Sequence, residues 1–197
     1  VRYMHLLELI PGADTLPEIL EFIAAFGEKN LGKGIVWAKD TPNFVGNRIG
    51  VQGIGATMKT MTENDMTIPE IDAIFGPALG RPKTAIFKTT DLVGLDTMIH
   101  VLKNSYDLCP DDEQRDTHIL PDFINKMAEK NLLGNKTGGG FYKTELTPEW
   151  KKIRKVLNPS TMEYEDLVRP SFPCIDDAKK KSTLKEKISC VLNGDDK

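Results

Sequence analysis

Cysteine and histidine are scarce in this chain of 197 residues, which contains three of each. The cysteines are odd in number, lie far apart and form no C-x-x-C pair, so the sequence predicts neither a disulfide framework nor a zinc ribbon. The histidines lack the i, i+4 spacing that two metal ligands on one helix need. We therefore predict that the chain binds no metal.

The sequence also lacks a long apolar run and an excess of charge of one sign. No apolar run approaches the roughly 18 residues that a membrane-spanning helix needs, and 26 Lys+Arg stand against 29 Asp+Glu without any basic block. This balance argues against nucleic acid or an anionic membrane as the main partner. Residues 1–10 do not have the layout of a signal peptide, which favours a cytoplasmic protein.

The first forty residues have the pattern of the end of an α/β domain. An apolar run at 5–10 ends at Pro11-Gly12, and a second strand-sized run covers 34–38. Between them Thr15 and Glu18 have the spacing of a capping box, and apolar residues then recur with the helical period until Gly27. Two strands cannot make a stable sheet alone. Because the chain also begins at Val1 inside an apolar run, we interpret it as a fragment.

From Asn43 onward the pattern becomes helical. Gly46, Gly50 and Gly53 share one face of a helix predicted to run to about Met61. A capping box at Thr67–Glu70 and helical periods over 92–108 and 120–130 follow, with a charged surface loop predicted at 110–121. The more densely charged residues 144–197 are predicted to form a short helix, a linker and one more helix over 184–192.

Two glycine-rich stretches are weak candidates for cofactor loops. The run at 53–58 starts like a dinucleotide fingerprint, but it lacks the third glycine and lies within a helical pattern. The run at 138–140 could hold a phosphate, yet no helix follows it directly, so a loop held by Phe141 and Tyr142 is the better interpretation.

Glu8 is the more informative polar residue because it lies inside an apolar strand. A lone carboxylate is costly to bury unless it is paired, although strand alternation could also direct it to solvent. Asn47 and Arg48 begin the glycine-faced helix at the expected junction of two domains, where ligands often bind. Asp40, just before Thr41-Pro42, is interpreted as a helix cap or turn residue.

Four motifs in order resemble those of the (S)-3-hydroxyacyl-CoA dehydrogenases of fatty-acid β-oxidation. They are LLELIP at 6–11, KDTPNFVGNR at 39–48, DLVGLD at 91–96 and GNKTGGGFY at 134–142. The resemblance implies a mainly α fold: a helical dehydrogenase C-terminal domain at 40–143, preceded at 1–39 by the last strand-helix-strand of a Rossmann NAD-binding domain. Residues 144–197 would begin a second helical domain, after which an enoyl-CoA hydratase module could follow.

The resemblance also implies roles for two residues. Glu8 matches the family glutamate that pairs with the catalytic histidine, and Asn47 matches the asparagine that hydrogen-bonds the acyl-CoA substrate near its reacting oxygen. The histidine and the NAD-binding loop would lie upstream of Val1, so this fragment alone is expected to bind no cofactor and to be inactive. Asn43 stands where the family often has glycine.

Two alternatives stay open on the sequence. The chain could be a non-catalytic helical dimerisation module that uses the face of Gly46, Gly50 and Gly53, and the family's helical domain itself supports a homodimer. The parent protein could instead act on a hydroxy acid that is not a CoA thioester. No pattern in the chain ranks acyl chain lengths.

Overall fold

The computed structural model describes residues 4–194 and begins with a strand-helix-strand unit. Strand β1 (Leu6–Leu9) and strand β2 (Gly34–Trp37) are parallel, and helix α1 (Pro17–Leu31) connects them. In this register Glu8 lies opposite Val36. The parallel pairing is the one expected for a βαβ crossover. Both predicted strands are confirmed.

Both predicted ends of α1 are wrong. Its N-cap residue is Leu16, with Pro17 in the first turn, and no side chain caps it; the Thr15 hydroxyl instead accepts a hydrogen bond from the Gly12 amide at 2.9 Å. The helix also continues past Gly27 to Leu31 and ends at the left-handed Gly32, φ 61°. Gly27 is a packing residue, since a Cβ there would lie 2.8 Å from Leu7.

Five helices follow and enclose the main core. They are α2 (Gly46–Glu63), α3 (Ile68–Ile74), α4 (Phe87–Val93), α5 (Leu95–Leu108) and α6 (Asp122–Glu129). Short 3₁₀ turns occur at Pro77–Leu79, Arg115–His118 and Asn135–Thr137. The largest fully buried side chains come from all five helices and, beyond them, from Phe141 and Leu157; those on the helices include Met58, Ile68, Phe87, Leu102, Ile124 and Met127.

The predicted helical periods are largely confirmed in this region. The capping box is present, with Glu70 accepting a hydrogen bond from the Thr67 amide at 2.7 Å. The period over 92–108 is divided, because Gly94 has a φ of 110° and separates α4 from α5. The loop predicted at 110–121 contains a 3₁₀ turn, and its His118 is buried rather than on the surface.

The short helix predicted at the start of 144–197 is wrong. Three antiparallel strands occur instead: β3 (Tyr142–Leu146), β4 (Lys152–Leu157) and β5 (Tyr164–Asp166). Tyr142 pairs with Val156 in the register, so this sheet closes one side of the main core. Pairing between strands that are separated along the chain overrides local helix propensity here.

A helical hairpin ends the described part of the chain. Helix α7 (Pro173–Lys179) packs against helix α8 (Leu184–Leu192), the helix predicted over the same residues. Ile175 and Ala178 bury against Ala78 in a small second core. Within residues 4–194 no helix is both long enough and apolar enough to cross a membrane.

Candidate functional site

Glu8 joins strand β1 to the first turn of helix α2. Its half-buried carboxylate accepts a hydrogen bond from the Gly46 amide at 2.7 Å and one from the Val45 amide at 3.2 Å. These N–H groups belong to the start of the helix, where no carbonyl of the helix itself can accept from them. The carboxylate in the apolar strand is therefore compensated by two backbone donors.

The charge of Glu8 also suits this position electrostatically. The first turn of a helix carries a partial positive charge, and a carboxylate placed there is stabilised by about 0.3–1 kcal/mol. Gly46 permits the contact, because a Cβ on this residue would lie 2.5 Å from the Glu8 Oε1 atom. The absence of a side chain at Gly46 thus allows the start of α2 to approach a carboxylate.

Asn47 follows directly after Gly46, so the two candidate residues meet at the same end of α2. Its side chain is exposed, and no hydrogen bond joins it to Glu8 among the described residues. A free amide at a helix start can donate to an oxygen of a ligand and accept from a hydroxyl group. The structure thus brings a held carboxylate and a free amide together at the junction between the βαβ unit and the helices.

The two neighbouring candidates, Arg48 and Asp40, have structural explanations. The Arg48 guanidinium donates to the Asp112 carboxylate at 2.9 Å. The Gln114 amide and then Arg48 hold the pKa of Asp112 below its usual value. Asp40 lies in a bend well before α2 begins, so it is not the helix cap, and the turn interpretation holds for it.

Asn43 occupies a backbone conformation that suits glycine, the residue that the resemblance implies at this position. Asn43 has a φ of 61° and Phe44 a φ of 52°, two consecutive residues in the left-handed region. Asparagine tolerates this region better than most side chains. The Asn43 amide donates to the Val101 carbonyl at 3.0 Å and to the Ser105 hydroxyl at 2.7 Å, both on α5.

A second polar cluster, which sequence reasoning missed, lies inside the helical core. Asp91 accepts hydrogen bonds from the Phe141 and Tyr142 amides, both at 2.9 Å. Asp72 accepts from the Tyr142 hydroxyl at 2.9 Å and from the Ile86 and Phe87 amides. Burial raises the pKa of Asp91 to about 6, against the lowering effect of its two backbone donors.

This cluster explains the glycine run at 138–140. A Cβ on Gly140 would overlap the Asp91 carboxylate, and the Tyr164 hydroxyl donates to the Gly140 carbonyl at 2.7 Å. The run lets the chain pass close to a buried acid, and buried Phe141 and Tyr142 hold it, in agreement with the loop interpretation. The other glycine-rich run, at 53–58, lies inside α2 and forms no strand-to-helix turn.

Comparison with known proteins establishes the family. The family model of the 3-hydroxyacyl-CoA dehydrogenase C-terminal domain matches residues 44–144. The chain belongs to this family, as the four motifs predicted. The predicted mainly α fold class is also confirmed.

Individual relatives carry related names. A Bacillus subtilis protein named "Probable 3-hydroxyacyl-CoA dehydrogenase" is 44% identical over 196 residues, which are 100% of this chain and 24% of the relative. A Deinococcus radiodurans protein of the same name is 45% identical over 142 residues, covering 72% of this chain and 40% of the relative. The chain therefore spans less than half the length of these curated relatives.

A solved structure has a similar fold over most of this chain. The (S)-3-hydroxybutyryl-CoA dehydrogenase PaaH1 of Ralstonia eutropha superposes with a TM-score of 0.59 and 29% sequence identity. The match covers 71% of this chain and 47% of the other. The likeness thus extends beyond the sequence motifs to the three-dimensional fold.

Proposed function

We propose that this chain is part of an NAD-dependent (S)-3-hydroxyacyl-CoA dehydrogenase that oxidises 3-hydroxyacyl-CoA to 3-oxoacyl-CoA in fatty-acid β-oxidation. One observation carries the proposal: the Glu8 carboxylate is fixed on the Val45 and Gly46 amides, next to the exposed amide of Asn47. Family membership supports the reaction. The fragment by itself has no activity in this proposal.

Glu8 has acceptor capacity left for a second partner. A carboxylate has about four lone-pair sites, and the backbone donors of α2 occupy two of them. In our proposal a histidine from an upstream segment donates its ring N–H to this carboxylate. The negative charge then fixes the orientation of the imidazole and favours its protonated form as it takes the proton of the substrate 3-hydroxyl.

Asn47 binds the substrate in this proposal. Its amide extends from the helix start into solvent, where it can hydrogen-bond the acyl group near the reacting oxygen. A neutral donor there stabilises negative charge on that oxygen without adding a titrating group. The acyl chain and the CoA head group would be bound by further residues.

In our proposal NAD binds outside the described residues. Between β1 and α1 the chain passes through Pro11-Gly12 and enters the helix at Pro17, without a glycine-rich phosphate-binding turn. We assign the cofactor, which accepts hydride, to an upstream Rossmann domain of which residues 1–39 are the last part. Exposed apolar side chains of the βαβ unit support this assignment. Phe22 and Trp37 are 67% and 57% exposed, so an upstream domain could pack against them.

We assign residues 40–143 to the helical domain of the enzyme and 144–197 to the start of a second helical domain. A homodimer through the helical domain is the second part of the proposal. Ile49 on α2 is 70% exposed, and the adjacent Gly50 has open space around it, so this face of the helix can receive a partner.

The test compares this chain with an extended protein, meaning the same chain joined to its upstream nucleotide-binding domain. We expect the extended protein to oxidise NADH with acetoacetyl-CoA and the chain alone to do nothing. Glu8→Gln in the extended protein should lower kcat by about 100-fold or more, the usual contribution of acid-base catalysis. Its matched control is Glu21→Gln, which changes an exposed glutamate of α1.

Two results would contradict the proposal at different points. An extended protein that folds and binds NADH but does not turn over would overturn the function itself. A Glu8→Gln variant with the rate of Glu21→Gln would remove Glu8 from the mechanism and leave the reaction intact.

A further inference from the structure

The turn that leads into α2 is held in an unusual backbone conformation. Two consecutive residues, Asn43 and Phe44, have positive φ angles of 61° and 52°. The Phe44 amide donates to the Thr41 carbonyl at 3.0 Å, and the helix begins two residues later at Gly46. The positions of the first helical residues therefore depend on what keeps this turn in place.

One side-chain amide attaches the turn to the core. The Asn43 Nδ2 atom donates to the Val101 carbonyl at 3.0 Å and to the Ser105 Oγ atom at 2.7 Å. Ser105 is 1% exposed, and its helix α5 places Leu102, which is fully buried, in the main core. Asn43 thus ties the turn to a helix that packing holds rigidly.

The residues immediately after this attachment hold Glu8. The Val45 and Gly46 amides, two and three residues beyond Asn43, donate to its carboxylate at 3.2 and 2.7 Å. The same few residues are thus fixed to α5 on one side and to β1 on the other. Loss of the attachment to α5 would therefore be expected to act on the amides that orient the carboxylate.

We propose that Asn43 is a positioning residue of the active site, which sets the place of Glu8 and Asn47 by tying the start of α2 to Ser105 and Val101. The inference rests on the proposed dehydrogenase function. Both hydrogen bonds of the Asn43 side chain go to α5 and not to Glu8 or Asn47. Its effect passes through the backbone, because a shift of about 1 Å in catalytic groups can cost up to 100-fold in rate.

The experiment replaces Asn43 by glycine in the extended protein. Glycine adopts a positive φ without strain, so Asn43→Gly removes the two hydrogen bonds and keeps the backbone conformation. The control is Asn131→Gly. Asn131 also has a positive φ, 56°, but it lies in the turn after α6 and away from Glu8.

We expect Asn43→Gly to lower kcat about tenfold relative to Asn131→Gly. The KM for NADH should not change, because the cofactor binds to another domain, and the melting temperatures of the two variants should agree within a few degrees. Ser105→Ala should lower kcat less than Asn43→Gly, and adding it to Asn43→Gly should have no further effect on kcat.

Three outcomes would overturn the inference. Equal kcat in Asn43→Gly and Asn131→Gly would show that the hydrogen bonds from Asn43 to α5 do not influence the active site. A fall in kcat that matches a fall in the folded fraction would show a structural role alone. A wild-type extended protein without turnover would overturn the proposed function, and this inference with it.

Discussion

The βαβ unit at residues 4–42 and the helical region at 43–142 contain equally regular elements, yet they differ in what those elements bury. Gly27 is the one buried residue of helix α1, and Phe22 and Ile19 on that helix are 67% and 47% exposed. In the helical region Ile124 and Met127 of the eight-residue helix α6 are both 0% exposed. A periodic apolar pattern thus forms a helix in both regions, but only the second region supplies the surface that covers it.

The difference shows which interactions stabilise the described chain. Apolar burial contributes roughly 25 cal/mol per Å² removed from water, so the apolar stripe of α1 contributes little until something packs on it. The hydrogen bonds from Val45 and Gly46 to Glu8 are then a main link between the two regions. Mutations in the two regions should have very different consequences for stability.

The largest contrast is expected between two phenylalanines. Phe87 is 0% exposed and its ring centroid lies 4.5 Å from that of Phe141, so Phe87→Ala should lower the free energy of unfolding by about 4 kcal/mol. Phe22→Ala should change it by less than about 0.5 kcal/mol in this chain, as expected for an exposed residue. Urea unfolding followed by circular dichroism measures both.

The same pair sharpens the domain assignment when it is measured in the extended protein. If an upstream domain covers α1, Phe22→Ala should become costly there, while the cost of Phe87→Ala should stay the same. If Phe22→Ala still has only a small effect in the extended protein, the upstream domain does not pack on this face of α1.

The sequence predicted most of the elements, because their signals are local. The strands at 5–10 and 34–38, the helix at 184–192 and the capping box at Thr67 depend on residues within a few positions of one another. The short helix predicted after residue 144 failed for the opposite reason. Strand β4 is specified by its pairing with β3 and by burial of Val156 and Leu157, and neither is visible locally.

The candidate site divides in the same way. Glu8 could be named as a candidate because a carboxylate in an apolar strand is unusual. Asn47 could be named because it lies in one of the four motifs. The bonds of Asn43 to α5 and those of Asp91 to Phe141 and Tyr142 span about 50 residues or more, so no spacing rule indicates them. An acidic residue on the apolar face of a predicted helix could have indicated this cluster, since a buried carboxylate needs hydrogen-bond partners.

The next largest effect is a pH dependence of stability that Asp91 contributes to the helical region. Burial raises the pKa of Asp91 from 3.8 to about 6, so between these values the folded chain binds more protons than the unfolded chain. The contribution of Asp91 to the free energy of unfolding is therefore most favourable below pH 3.8 and is lost as the pH rises through 6. The raised pKa corresponds to about 3 kcal/mol across this window.

The check is the free energy of unfolding between pH 4 and pH 7 for three proteins. Relative to wild type, Asp91→Asn should remove this pH dependence, whereas Asp111→Asn, a change at an exposed aspartate, should keep it. His118 acts in the opposite direction: burial lowers its pKa below 6.5, so its contribution is present above 6.5 and is lost as the pH falls. Identical pH curves for Asp91→Asn and wild type would contradict the assignment to Asp91.

The smallest contrast lies within one helix, α2, which has a packed face and an open face. A Cβ on Gly55 would overlap the Thr117 carbonyl oxygen, whereas a Cβ on Gly50 would point into open space. Gly55→Ala should destabilise the chain by about 2 kcal/mol through overpacking, and Gly50→Ala should stabilise it by up to about 1 kcal/mol through helix propensity. Thermal unfolding measures both. A homodimer on this face would cover Gly50. If Gly50→Ala destabilises the protein at high protein concentration but not at low concentration, the face is a dimer interface.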